Sequence, residues 1–150
     1  MTTSEKKKVA TYPTAEEIMA GEMEGLDKYR EALKNWNTCY KGNVEKRKLA
    51  IPLLARWMLV EAFGTEAACE YSISKSYMYA FNRDTKTLFI DAYNLSIIST
   101  LHEAGHAIFG SSELLACRFS TQLFRDVFPK SYAKLEWKGH MLKKKGKKTC

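Results

Sequence analysis

The chain has 150 residues, 45% of them hydrophobic and 27% charged, which suits one domain with its own core and excludes both wholesale disorder and a multidomain machine. No apolar run approaches the roughly 18 residues of a membrane span, and residues 1–8 lead into no apolar signal segment, so the expectation is a soluble, cytoplasmic protein without a membrane partner. The net charge of +7 is matched by residues 130–150 alone, where eight lysines face only Glu136, so the body is neutral and the lysine tail reads as a solubilising end, capable at most of weak, non-specific contact with nucleic acid.

Residues 1–12 read as a flexible arm, 13–141 as a single domain and 142–150 as a basic tail. Pro13 introduces a helix start, with Thr14 and Glu17 at capping-box spacing. Ile18, Met19, Met23, Leu26, Tyr29, Ala32, Leu33 and Trp36 then recur at steps of three and four, predicting one helix with a buried stripe that ends at Lys41-Gly42-Asn43. A second, very apolar helical stretch runs over 44–63 and stops at Gly64. Pro52 inside it implies either a kink or a helix that begins near Ile51. Residues 77–81 and 87–91 are β-prone runs around the turn-rich connector 82–86, a β-hairpin and the only one the sequence announces. Asn94 is placed to cap a helix over 95–109. Gly110 suits a left-handed helix end, Ser111 or Ser112 can cap the next helix, and Pro129 stops that helix. The order predicts a mostly helical α+β fold with a small antiparallel hairpin beside the helix at 95–109. Cys39, Cys69, Cys117 and Cys150 form no close pair and read as free thiols.

The chemistry concentrates in His102-Glu103-Ala104-Gly105-His106, an HExxH motif. A four-residue step is close to one helical turn, so both imidazoles leave the same face and can share one ion. Neutral imidazole suits Zn²⁺, and a catalytic zinc site uses three protein ligands with a fourth position open. Glu103, one step round the helix, can then reach a water instead of the metal. Ile97, Ile98, Leu101 and Ile108 supply the buried side, and Ala104 and Gly105 are expected to keep bulk away from the metal face. Glu113 and His140 compete as third ligand. Glu113 lies seven residues past His106, about 10.5 Å along an unbroken helix, so it can contribute only if the chain reverses at Gly110-Ser111-Ser112.

The hairpin, the HExxH helix, the short break and Glu113-Leu114-Leu115-Ala116-Cys117-Arg118-Phe119 together resemble the minimal gluzincin metallopeptidases of the ImmA/IrrE kind, over roughly residues 71–128. The resemblance implies His102, His106 and Glu113 as zinc ligands and Glu103 as the general base. It also implies a small hydrolase cutting protein or peptide substrates by a zinc-activated water. Leu115 and Cys117 stand where relatives often carry acidic residues, so a ligand histidine must take its orienting partner from a backbone carbonyl instead. Tyr132, His140 and Tyr93 are the candidates for stabilising the oxyanion, and an exposed hairpin strand offers an edge for an extended peptide. The competing expectation is a non-catalytic zinc-containing regulatory or binding module, possible for so small a chain and in contact with nucleic acid only through its lysines.

Overall fold

A computed structural model describes residues 12–64, 70–74, 79–91 and 94–145. The fold is α+β, as the element order predicts. The helices are α1 (Ala15–Ile18), α2 (Asp27–Cys39), α3 (Val44–Leu49), α4 (Ile51–Phe63), α5 (Ile97–Phe109), α6 (Glu113–Val127) and α7 (Pro129–Tyr132). The strands are β1 (Glu70–Ser74), β2 (Ala80–Asn82), β3 (Thr87–Asp91), β4 (Leu135–Lys138) and β5 (Met141–Lys144). Among the described residues no helix is long and apolar enough to cross a membrane.

Thr14 and Glu17 form the expected capping box on α1, but the stripe from Ile18 to Trp36 does not lie on one helix. The chain breaks at residues 19–26, where Gly21 and Gly25 take φ of 69° and 79°. Side chains from α6 satisfy the broken backbone. Gln122, fully buried, accepts from Met23 N at 2.8 Å and donates to Ile18 O at 3.0 Å. Arg118 donates to Glu17 O and Ala20 O at 3.0 and 2.8 Å. The apolar residues still reach the core, because Leu26, Tyr29, Leu33 and Trp36 are all buried.

Pro52 falls in the first turn of α4, where its missing N–H costs nothing, so the stretch 44–63 is two helices and not one kinked helix. Trp36 donates from Nε1 to Ala50 O at 3.1 Å and ties α2 to that joint. α4 packs against α2, α5 and β1, with Leu54, Ala55 and Met58 fully buried.

The expected hairpin is present: β2 pairs antiparallel with β3, Phe81 opposite Leu88. Tyr77 and Met78 lie outside the described residues. β1 adds to the other side of β3 in parallel, Tyr71 opposite Leu88, giving the order β1-β3-β2 with β2 at the edge. The sheet is therefore mixed, and this strand is absent from the sequence reading because Glu70-Tyr71-Ser72-Ile73-Ser74 is short and only weakly β-patterned. A second hairpin, β4–β5, pairs Trp137 with Leu142. It overturns the expectation of one hairpin and moves the tail boundary, since residues 142–144 belong to a strand. In β4 Leu135 and Trp137 alternate with Glu136 and Lys138, a period of two, but β5 ends on the adjacent Lys143 and Lys144, so the run reads as charge and not as strand.

α5 and α6 pack closely against each other. A Cβ on Gly105 would stand 3.0 Å from Ala116 Cα, so any larger residue would require α6 to give way. Ala104 and Gly105 are both buried and face the core and α6; they do not clear space at the histidines, as the sequence suggested. Cys39 and Cys117 are free; Cys69 and Cys150 lie outside the described residues.

Candidate metal centre

α5 carries His102, Glu103 and His106. It begins two residues later than Asn94 capping would require, because Ser96 is the N-cap and its hydroxyl accepts from Ser99 N at 3.2 Å. Tyr79 explains the shift. Its hydroxyl donates to Asn94 O at 2.7 Å and accepts from Ser96 N at 2.8 Å, holding the approach to the helix extended. At the other end, Gly110 closes α5 with φ 91° and ψ −153°, a positive-φ conformation outside the left-handed helical region and almost confined to glycine. Ser112 caps α6 by accepting from Leu115 N at 3.1 Å, which places Glu113 in the first turn of α6.

The reversal does what the sequence required of it. His106 Nε2 lies 2.7 Å from Glu113 Oε1, and His102 Nε2 lies 3.4 Å from Glu113 Oε2. Candidate ligand atoms of His102, His106 and Glu113 lie within 4.8 Å of one another, close enough to hold a metal ion. His140 is not in that group. His106 Nδ1 lies 2.9 Å from Gly110 O and donates to it, so the ring takes its orientation from a backbone carbonyl, as expected from the missing carboxylates. A neutral His106 with its proton on Nδ1 directs the Nε2 lone pair at a carboxylate oxygen 2.7 Å away. Two acceptors so close need a positive charge between them, and a proton or a metal ion provides it. The donor set fits a cation.

Cys117, where an acid is common in the resembling family, has Sγ at 3.9 Å from both His102 Nδ1 and Glu113 Oε2. Burial, reinforced by Glu113, pushes its thiol up to about 12, so it stays protonated at neutral pH and is a poor metal ligand. Burial lowers the pKa of His102 against the pull of Glu113, keeping this ring neutral and ready to ligate. Burial works to raise Glu113, but His102 and His106 outweigh it and hold the carboxyl below its ordinary value. Burial raises Glu103 to about 7, with His106 opposing and Glu113 adding to the rise.

Two cavities flank the centre. One of about 350 Å³ is lined by His102, Glu103, Glu113, Cys117, His140 and Leu142, among others; one of about 360 Å³ is lined by Phe81, Arg83, Glu103, His106 and Glu113, among others. Glu103 and Glu113 border both. The β4–β5 turn brings His140 to the first cavity, stacked on Tyr12 with ring centroids 4.2 Å apart. Tyr132 does not line either cavity. It is half-buried on α7 and packs against the core, which removes it from the oxyanion candidates; Tyr93 lies outside the described residues. Tyr79 and Arg83 line the site and were missed in the sequence, since a tyrosine before a strand and an arginine in a turn carry no motif.

No family model matches the chain, and no curated protein or solved structure matches it either.

Proposed function

We propose that the chain is a zinc-dependent metallopeptidase of the gluzincin type, with His102, His106 and Glu113 holding the metal and Glu103 moving the proton. The observation that carries this reading is the convergence of two imidazole nitrogens and one carboxylate beside Glu103, at the meeting of two open cavities. Two imidazoles and a carboxylate are a zinc donor set, and their candidate ligand atoms lie within 4.8 Å of one another. When bound, zinc supplies Lewis acidity, polarising a carbonyl and acidifying water.

The side chains supply the rest. Glu103 makes no ion pair with the ligand residues, and with its pKa near 7 its carboxylate can take a proton from water and return it to a leaving amine at neutral pH. His140 lines the first cavity and is the candidate donor toward a developing oxyanion. β2, at the edge of the sheet, offers backbone groups to an extended peptide substrate. The free thiols of Cys39 and Cys117 suit a reducing compartment, so the reading places the enzyme in the cytoplasm.

Glu103→Gln tests it. The purified variant is expected to retain one zinc per chain by elemental analysis while hydrolysis of a peptide library falls by about 10²–10⁴-fold; a variant as active as the parent removes Glu103 as the base. The second reading, a zinc-containing binding module, draws support from the long 3.9 Å contact between Cys117 and His102, a weak orienting partner. Chelator-sensitive peptide binding without any cleavage product would favour it.

A further inference from the structure

Among the described residues Arg83 is the one lysine or arginine lining the two cavities. It opens the turn between β2 and β3, and its guanidinium donates from Nη1 to His106 O at 3.1 Å. That carbonyl already accepts from Gly110 N at 2.9 Å, so it has a partner without the arginine. The other well-anchored arginines are consumed by structure. Arg30 pairs with Asp27 and Asp126, Arg125 with Glu22 and Asp126, and Arg118 with the carbonyls of the 19–26 loop region. Arg83 forms no ion pair among the described residues, although Glu103 and Glu113 border the same cavity. Its guanidinium is thus tethered at one N–H, with further donors available beside the candidate metal centre.

A planar fork held this way suits one kind of ligand group, a carboxylate, which it can engage with two parallel hydrogen bonds. Ala80 and Phe81 line the same cavity and belong to the edge strand. A peptide extended along that edge would run toward Arg83 at the end of β2. Among the described residues the other cavity has no lysine or arginine in its lining.

We infer that Arg83 forms a carboxylate-binding subsite, so that preferred substrates carry an acidic side chain or a free C-terminus near the bond to be cut. This selectivity rests on the peptidase reading; the subsite itself can be read without cleavage. The probes are zinc-loaded full-length protein and a set of short peptides in which Glu is exchanged for Gln, and, separately, the C-terminal acid for its amide. The parent is expected to favour one acid over its amide by about tenfold or more in kcat/KM, and the member of the set that shows the preference identifies the source of the carboxylate. Arg83→Gln is expected to bring that ratio close to one, and Arg83→Lys, which keeps the charge but loses the fork, to leave an intermediate ratio. Either variant suffices if the other fails to fold. Equal kcat/KM for acids and amides in the parent, or a preference that survives in Arg83→Gln, overturns the inference. If the zinc-loaded parent cuts no peptide, the peptidase reading fails by itself. The same ratios, taken from dissociation constants by fluorescence anisotropy, then decide on the subsite: acid-selective binding lost in Arg83→Gln supports it, and unselective or undetectable binding overturns it.

Discussion

The helical pattern is interrupted at residues 19–26 and again at 110–112, and the two breaks are held by different means. At the second, the supports are close in sequence apart from the Arg83 guanidinium, which donates to His106 O from 23 residues away. Gly110 N donates to His106 O, His106 Nδ1 donates back to Gly110 O, and the Ser112 hydroxyl accepts from Leu115 N. At the first, the supports come from the far end of the chain: Gln122 reaches Ile18 across 104 residues and Arg118 reaches Ala20 across 98. A break closed by its neighbours can be built by a short stretch of sequence and can carry chemistry at its rim. A break closed from a distance exists only once α6 has docked. The same helix serves both, with Glu113 at its start facing the metal centre and Arg118 and Gln122 further along bracing the N-terminal loop.

If that division of labour holds, the two breaks respond differently to substitution. Gln122→Ala leaves Met23 N–H and Gly21 O without their side-chain partner, leaves Ile18 O with only the long 3.4 Å contact from Arg118, and opens a small cavity. The expected loss is about 3 kcal/mol, measured by urea unfolding, with zinc affinity of the folded protein unchanged in a chelator competition. A parallel fall in zinc affinity would show that the loop and the centre are one cooperative unit and would erase the contrast.

The same distinction governs how much the sequence discloses. His102, Glu103 and His106 are legible because the four-residue step is a property of one helix, and Glu113 is legible because a short Gly-Ser-Ser link leaves little choice of geometry. The Thr14–Glu17 capping box, the β2–β3 hairpin and the stop at Gly64 are equally local. The break at 19–26 is not, since Met19, Met23 and Leu26 continue a helical period and the residues that override it are nearly a hundred positions away. β1 is hidden because its pairing partner β3 is reached in parallel, past a hairpin. The β4–β5 hairpin is masked by lysines, so Leu142, which lines the cavity at the centre, reads as tail. Tyr132 is the opposite error, an aromatic well downstream of the motif whose ring packs on the core.

Gly110→Ala probes the locally built break. Its φ of 91° with ψ near −153° is strained for any L side chain, at a cost of about 2 kcal/mol, while an added Cβ would meet only ordinary van der Waals contact, the nearest atom being Arg83 Nη1 at 3.6 Å. The conformational cost falls on the residue whose carbonyl orients His106, so zinc affinity is expected to drop by about 10–100-fold as well, the range for loss of a ligand's orienting partner. Stability loss with affinity intact would mean that another group fixes the ring.

Ser112→Ala should have the smallest effect. Removing the hydroxyl that accepts from Leu115 N costs about 1 kcal/mol, as N-cap losses do. Glu113 begins the helix that this cap closes, so a joint held by its cap would lose zinc affinity together with stability. The packing argues otherwise: Gly105 lets α5 and α6 approach until an added Cβ would stand 3.0 Å from Ala116 Cα, and Phe119, fully buried one turn further on, anchors the same face. The position of Glu113 is therefore set three residues into the helix by close contact and not at its end by a hydrogen bond. Zinc affinity is expected to change by less than about threefold; a tenfold loss in the same competition assay would assign the geometry of the centre to the cap.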